Sequence, residues 1–220
     1  PKTSEDHSFP RLIVVNQAYS PAFQQLINRL SQSIGTCRIL GGSTFPVERN
    51  GNLEVISGPK YIRKGFIWRS LSWIFFSLWA SIKLLFVRRN EFVLVVSNPP
   101  LMIPIVYLLS RLKNFRYGLL VWDVYPDHLV KSGMIKCDGL VHRYWVKMSG
   151  KSIEGADFVI TLSQGMLNSL GRHCSMKNNL GDKFSIIPNW ADTDTLFPLQ
   201  KNHNPFMKKL RLENKTIFLY

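Results

Sequence analysis

Short apolar runs that end in polar residues alternate along this chain with longer segments whose apolar residues recur at helical spacing. The apolar runs predict β-strands at Arg11–Asn16, Cys37–Leu40, Leu53–Ile56, Glu91–Ser97, Tyr117–Val121, Phe158–Leu162 and Phe184–Ile187. The predicted helices include Ala22–Ser33, Phe66–Val87, Leu101–Leu112 and Leu140–Ile153. Because strands that alternate with helices build parallel sheets covered by helices, the sequence predicts an α/β fold with a doubly wound, Rossmann-like parallel sheet.

Polar residues lie where several of these strands end. The ends fall at Asn16, Ser97, Trp122-Asp123, Ser163 and Asn189. In a doubly wound sheet such carboxyl ends line one crevice, and their amides, hydroxyls, aromatic rings and carboxylate suit a sugar or another polyhydroxy ligand. Asp123 directly follows a buried strand, so its carboxylate is expected at the crevice mouth, although an Asp here also commonly caps a turn. By position alone, Tyr19, Asn98 and Trp122 are further candidates for ligand contact.

The predicted helix at Phe66–Val87 has an unusual composition. One side carries Ile67, Leu71, Ile74, Phe75, Leu78, Ile82, Leu85 and Phe86 with Trp68 and Trp79. The other side carries Arg69, four serines, Lys83 and Arg88, with Trp73 and Phe76 among them. Three structures fit this pattern: a helix lying on an anionic membrane, a helix packed on the sheet with a solvated basic face, and a transmembrane span. For the first, the predicted membrane contacts are Trp68, Arg69, Trp73, Phe75, Trp79 and Lys83.

Charge narrows the classes of partner. The chain of 220 residues has 28 Lys and Arg against 14 Asp and Glu, a formal net charge of +14. This excess favours polyanionic partners: nucleic acid, anionic lipid head groups or phosphorylated small molecules. No nucleic-acid-binding motif is present, and the basic residues cluster around an apolar helix, so a nucleic-acid partner is not expected. The three cysteines, Cys37, Cys137 and Cys174, are scattered without metal-ligand spacing, and no bound metal is predicted.

Two segments in the C-terminal third of the chain resemble motifs of a known enzyme family. They are ADFVITLSQGM at 156–166 and IIPNWADTDTLFP at 186–198. They resemble the "ADxVxxxS" strand and the "IPNGVDxxxFxP" turn of family 4 glycosyltransferases of the GT-B fold. Trp190 stands where that pattern has Gly, which is similar to a subgroup that builds bacterial surface polysaccharides.

The resemblance implies a domain organisation. Residues 11–198 would form the Rossmann-like, acceptor-binding half of a GT-B fold, preceded by a flexible terminus at 1–10. Residues 199–220 would form a linker and, at Thr216–Tyr220, the first strand of a donor-binding domain that is missing here. By itself this half is expected to be inactive.

The resemblance also implies site residues and substrates. Asp123 would orient the acceptor hydroxyl, while acceptor contacts are expected from Tyr19, Asn98, Trp122, Asp127, Ser163 and Gln164. Asp127 has an alternative role as the N-cap of the next helix. Asn189 and Asp192 would lie near the donor, between the domains, with turn stabilisation as their alternative role. The resemblance implies no tightly bound cofactor. It also implies that the donor is a nucleotide-diphosphate sugar and that the enzyme retains the anomeric configuration.

The predicted function is therefore transfer of a sugar to a lipid-linked glycan in bacterial capsule, O-antigen or exopolysaccharide synthesis. The predicted location is cytoplasmic and peripheral, at the inner face of the cell membrane. The alternative is a non-catalytic module that anchors the acceptor at the membrane in a split glycosyltransferase.

Overall fold

A computed structural model of the chain describes residues 11–42, 51–175, 181–191, 197–212 and 215–217, without the side chain of residue 202. The predicted flexible terminus at 1–10, the candidate Asp192 and residues 218–220 lie outside the described residues. The chain divides into two compact units at the boundary between Asn189 and Trp190.

The first unit contains one parallel sheet of seven strands. The strands are β1 (Leu12–Asn16), β2 (Cys37–Gly41), β3 (Leu53–Ser57), β4 (Phe92–Val96), β5 (Arg116–Val121), β6 (Val159–Thr161) and β7 (Phe184–Ile186). Their order across the sheet is β3-β2-β1-β4-β5-β6-β7, and every neighbouring pair is parallel. This arrangement confirms the predicted doubly wound, Rossmann-like fold.

Helices cover both faces of this sheet. They are α1 (Pro21–Ile34), α2 (Phe66–Leu84), α3 (Met102–Lys113), α4 (Asp127–Lys131), α5 (Leu140–Gly155) and α6 (Gln164–His173). The start of α1 follows from its sequence: Pro21 occupies the first turn, and the Ser20 hydroxyl accepts a hydrogen bond from the Phe23 backbone N–H at 3.2 Å.

The register of the sheet sorts its side chains into two cores. Val14 lies beside Ile39 and Leu94, and these side chains pack with Phe23 and Ile27 of α1. The next residue along each strand points to the opposite face, where the larger core forms against α2, α3, α5 and α6. A central strand such as β1 is therefore apolar throughout, because both of its faces are buried.

Helix α2 packs on the sheet with its serine-containing side inward. Its buried residues are Ser72, Trp73, Phe76, Ser77, Ala80 and Leu84. Small Ser and Ala side chains allow the helix to approach the sheet closely. The hydroxyls of Ser72 and Ser81 donate hydrogen bonds to backbone carbonyls of the same helix. The apolar side predicted from the sequence is exposed instead. We call this surface the apolar face of α2: Ile67, Trp68, Leu71, Ile74, Phe75, Leu78, Ile82, Leu85 and Phe86.

In this orientation of α2, some of the predicted membrane contacts are exposed and others are buried. Trp68, Phe75 and Lys83 are exposed, and Arg69 is half-buried. Trp79 is half-buried against Gly58, where a Cβ atom would come within 2.5 Å of the indole ring. Trp73 is only 6% exposed and packs inside the protein, so it does not belong to the surface available to a membrane. Over the described part of the chain, every helix is too short or too polar to cross a bilayer.

The second unit contains a short helix where the sequence predicted a linker. Helix α7 (Pro205–Lys209) begins at Asn204, whose side chain accepts a hydrogen bond from the Phe206 backbone N–H at 3.0 Å. An Asn at the N-cap followed by Pro is a typical helix start. The sequence analysis did not recognise it, because the surrounding residues are polar and basic. Thr216 and Ile217, within the predicted terminal strand, are not paired in a sheet.

Candidate active site at the carboxyl ends of the strands

The crevice lies where the direction of strand order changes. From β1 the chain builds outward to β2 and β3, and then crosses to β4 on the other side of β1. Such a switch point leaves a gap between neighbouring strand ends, because the connections leave on opposite faces of the sheet. The residues that follow β1 and β4 border this gap directly.

Amide side chains at the switch point carry buried polar atoms without partners. The backbone N–H of Gln17 donates to the carbonyl of Asn98 at 3.0 Å, which joins the two strand ends. Asn16 Nδ2, Gln17 Oε1 and Asn98 Oδ1 are buried without a hydrogen bond. Because an unpaired buried amide costs free energy, these atoms mark the gap as a place for a polar ligand or water. Asn98 was predicted from the sequence, whereas Gln17 was missed.

Asp123 stands at the end of the next strand, β5. The Ser97 hydroxyl oxygen accepts the backbone N–H groups of both Trp122 and Asp123, at 3.0 and 3.1 Å. The Asp123 side chain is exposed, as expected for a carboxylate at the crevice mouth. Trp122 packs edge-on against Phe23, and its indole N–H is buried without a partner. Ser97 therefore fixes the backbone from which the predicted acidic group projects.

An aromatic cluster connects this loop to α2. The Tyr125 ring packs against Trp73 of α2 at 6.2 Å between centroids and against Trp145 of α5 at 6.4 Å. Burial raises the pKa of the Tyr125 hydroxyl, the negative charge of Asp123 raises this pKa further, and the Arg69 guanidinium lowers it. Both Asp123 and Arg69 thus lie close enough to Tyr125 for their charges to act on it.

Gln17 makes a second connection between the crevice and α2. Its side-chain N–H groups donate to the Ser72 carbonyl at 2.8 Å and to the Lys60 carbonyl at 3.4 Å. The N-terminal part of α2, which carries part of the apolar face, is therefore fastened to the strand end that borders the crevice.

The Asp127 side chain is half-buried and forms contacts with α6. It occupies the first turn of α4, which starts after Pro126, so it is not the N-cap. Its carboxylate lies 2.8 Å from Nε2 of His173 and 3.9 Å from Arg172, both in the last turn of α6. The contact joins two helices whose residues are 46 positions apart in the sequence. These contacts hold the Asp127 side chain between α4 and α6.

The other predicted residues lie along the same edge of the sheet. The Ser163 hydroxyl caps α6 by accepting the Met166 N–H at 3.3 Å, and Gln164 donates to the side chain of Asn168 at 3.0 Å. Tyr19 is half-buried beside Phe23, and Asn189, three residues after β7, is exposed. Thr161, the last residue of β6, was missed; its buried hydroxyl has no partner.

A possible cation site lies outside the strand ends. In the described residues, Cys137, Asp138 and His142 bring ligand-type atoms within 4.8 Å of one another. Nδ1 of His142 already accepts the Asp138 backbone N–H at 3.2 Å, and Cys137 and Asp138 are exposed. A local turn explains this cluster without a metal.

A cleft of about 450 Å³ lies at the opposite edge of the sheet, beside the first residues of β5. Arg116 and Asp157, which line it, form an ion pair at 3.0 Å. The cleft contains none of the residues predicted to bind substrate.

The chain is similar to one named protein in sequence and to two solved structures in fold. No protein-family model matches the sequence. The chain is 26% identical over 206 residues to a Pseudomonas aeruginosa protein named "Probable glycosyltransferase WbjE", an alignment that covers 90% of this chain and 50% of that protein. It therefore spans about half the length of this relative.

Solved structures support the fold. The structure of Anabaena Alr3699/HepE in complex with UDP and glucose matches 93% of this chain and 51% of that chain, with a TM-score of 0.58 and 12% identity. A second HepE structure, in complex with UDP, matches 94% of this chain with a TM-score of 0.51 and 11% identity. At these identities the likeness concerns the fold.

Proposed function

We propose that this chain is the acceptor-binding half of a retaining, hexosyl-transferring GT-B glycosyltransferase of family 4. In this proposal the enzyme moves a sugar from a nucleotide-diphosphate sugar to a lipid-linked glycan at the cytoplasmic face of the bacterial membrane. Its product would enter capsule, O-antigen or exopolysaccharide synthesis. The observation that carries the proposal is the crevice bearing Asp123 beside an exposed apolar face on a basic helix, in a chain similar to a probable glycosyltransferase.

The crevice supplies groups suited to a carbohydrate. Asn16, Asn98 and Trp122 offer buried amide and indole groups that lack partners, and Asp123 offers an accessible carboxylate. Amides donate to and accept from hydroxyls, while a carboxylate can accept the hydrogen bond of the one hydroxyl that reacts. We assign to Asp123 the orientation of that acceptor hydroxyl. The donor would be bound by the other half of the enzyme, next to Asn189, and no metal is assigned.

The apolar face of α2 supports a membrane-bound acceptor. Its exposed side chains belong to a helix that already buries its other side on the sheet, so water alone covers them in the described unit. Between Glu54 and Glu91 the chain has no acidic residue and seven basic ones: Lys60, Arg63, Lys64, Arg69, Lys83, Arg88 and Arg89. An exposed apolar face flanked by positive charge alone matches an anionic leaflet, into which such helices lie about 5–10 Å deep. We therefore assign this face to the inner leaflet.

The proposal is tested by transfer. The native polypeptide is incubated with radiolabelled nucleotide-diphosphate sugars and a lipid extract that contains lipid-linked saccharides, and the label in the organic phase is measured. Asp123→Asn, which keeps the shape and removes the charge, should lower turnover about 100-fold with donor binding unchanged. The matched control is Asp182→Asn, at an exposed position before β7, which should transfer sugar normally. Label released only as free sugar, or full turnover by Asp123→Asn, would contradict the proposal.

A further inference from the structure

The side chain of Arg69 differs from the other basic side chains around α2. Lys60, Arg63, Lys64 and Lys83 are exposed, as expected for charges that meet lipid head groups. Arg69 is half-buried, and its guanidinium lies over the Trp73 ring at 5.4 Å from the centroid. A terminal nitrogen also lies 4.0 Å from the sulfur of Met134. The Arg69 guanidinium is therefore packed against Trp73 and Met134, whereas the three lysine side chains extend into solvent.

Among the described residues, the Arg69 guanidinium has no anionic partner. Nε of Arg69 is buried and makes no hydrogen bond. Among the described residues, no acidic side chain forms an ion pair with Arg69. A guanidinium has five donors, and leaving one of them dry and unpaired is costly unless an anion occupies the site. A half-buried arginine with an orphaned donor is therefore suited to bind an anion.

The surroundings of Arg69 identify the kind of anion. On one side lies the apolar face of α2, with Trp68 exposed next in sequence. On the other side Trp73 packs against Tyr125, which is two residues from Asp123. A molecule that reaches from the membrane to Asp123 would pass Arg69 at the junction between its lipid part and its sugar part. In a lipid-linked saccharide that junction is a phosphate or diphosphate.

We propose that Arg69 binds the phosphate or diphosphate that joins the lipid to the sugar of the acceptor, and so sets which sugar hydroxyl reaches Asp123. This inference rests on the proposed function and gives Arg69 a role that differs from general attraction to the membrane. Planar guanidinium groups bind phosphate oxygens through two parallel hydrogen bonds, a geometry that an ammonium group does not reproduce.

The test of this site is the binding of geranyl diphosphate to the native polypeptide. Binding is measured by calorimetry in the absence of vesicles. Geranyl diphosphate carries a short isoprenoid and a diphosphate but no sugar, and geraniol is the probe without phosphate. Arg69→Gln should weaken geranyl diphosphate binding about tenfold or more, and Arg69→Lys should recover part of the loss. The matched control is Arg29→Gln. It makes the same charge change at an exposed position of α1, which covers the other face of the sheet, and it should bind geranyl diphosphate as the wild type does.

Further probes separate the possible sources of the phosphate. Binding to phosphatidylglycerol vesicles should change by no more than about twofold in Arg69→Gln, because the exposed cations serve the bilayer. Binding of UDP should not change, because the donor belongs to the other half of the enzyme. Equal losses for geranyl diphosphate and vesicles would mean a head-group contact, and equal losses for geranyl diphosphate and UDP would mean a donor contact. Either result overturns the assignment, as does a wild type that binds geraniol as well as the diphosphate.

The outcome for Arg69 is distinguishable from the outcome for the proposed function. Binding of geranyl diphosphate that depends on Arg69, with no sugar transfer by the wild type, would contradict the transferase and leave the phosphate site in place. Sugar transfer by the wild type with unchanged binding and turnover in Arg69→Gln would contradict the phosphate site alone. Thermal unfolding of each variant establishes that it is folded at the temperature of the binding and transfer measurements.

Discussion

The Ser97 hydroxyl oxygen, directly after β4, accepts at 3.1 Å the backbone N–H of Asp123, which follows the neighbouring strand β5. The same oxygen accepts the N–H of Trp122 at 3.0 Å, and Ser97 is fully buried. One hydroxyl thus satisfies two donors that follow the last residue of β5. Without it, the first turn after the strand would have two unpaired N–H groups and an added degree of freedom at the acidic residue.

We expect Ser97→Ala to lower turnover roughly tenfold to hundredfold in the complete enzyme. The two N–H groups would lose their acceptor, and Asp123 would shift relative to the acceptor hydroxyl. The Michaelis constant for the nucleotide sugar should not change, because the displaced group serves the acceptor. Steady-state kinetics with each substrate varied in turn distinguishes these effects.

A second buried serine provides the control for this prediction. Ser110 is buried in α3 and donates to the Tyr107 carbonyl of its own helix at 2.8 Å, away from the Asp123 loop. Ser110→Ala should keep turnover close to that of the wild type. Equal turnover in both variants, at a temperature where both are folded, would contradict a positioning role for Ser97.

Replacing Phe75 and Leu78 together by serine should release the protein from anionic vesicles. Both side chains are 59% exposed on the apolar face of α2, so the substitution removes membrane contact with little effect on the core. Co-sedimentation with phosphatidylglycerol vesicles measures the effect. The matched control is Phe197→Ser with Leu199→Ser, the same two changes at exposed positions elsewhere in the chain. Release by the control pair, or continued sedimentation of the first pair, would count against the assignment.

The sequence was sufficient to predict the strands and the doubly wound parallel sheet, although not the order of the strands in that sheet. Apolar runs of about five residues bounded by polar turns mark β1, β4 and β5 because these strands are buried on both faces. The side of α2 that packs on the sheet could not be predicted. Periodicity separates the two sides of a helix, but Phe76 and Ala80 on the serine-containing side gave no sign that this side would be buried.

The residues at the strand ends, where the candidate site lies, could be predicted from the sequence, but only some of their contacts could. Asp123 was recognisable because a carboxylate directly follows an apolar run. Gln17 was missed because it looked like the start of a loop, and its contacts with Lys60 and Ser72 depend on the packing of α2. The Asp127–His173 contact joins two helices through tertiary structure, so no local pattern reveals it. A polar residue at the end of an otherwise apolar strand, such as Thr161, is the signal that could have extended the list.

The three cysteines should differ sharply in reactivity. Burial raises the pKa of the Cys37 thiol from 9.0 to about 12, and burial with Glu154 nearby raises the pKa of Cys174 to about 11, while Cys137 is exposed. At pH 8 we expect one thiol to react quickly with a disulfide reagent and all three after denaturation. Cys137→Ser should abolish the fast reaction.

The same pKa changes make a prediction about alkaline stability. Because both buried thiols have a higher pKa when folded, their contribution to stability is fully present below pH 9 and is lost as the pH rises through about 11 and 12. Cys37→Ala should therefore flatten the fall of the unfolding free energy above pH 9, as urea titrations would show. An equally steep fall in this variant would contradict the assignment to Cys37.

Two adjacent phenylalanines test the orientation of α2. Phe76 is fully buried in the larger core, whereas its neighbour Phe75 is 59% exposed. Phe76→Ala should lower the free energy of unfolding by about 3–5 kcal/mol, because it removes a large side chain and leaves a cavity. Phe75→Ala should change it by about 0.5 kcal/mol or less in the absence of membranes. Urea unfolding measures both variants, which differ by one position and contain the same substitution. Equal destabilisation would mean that α2 is rotated about its axis, and the apolar face would then be part of the core.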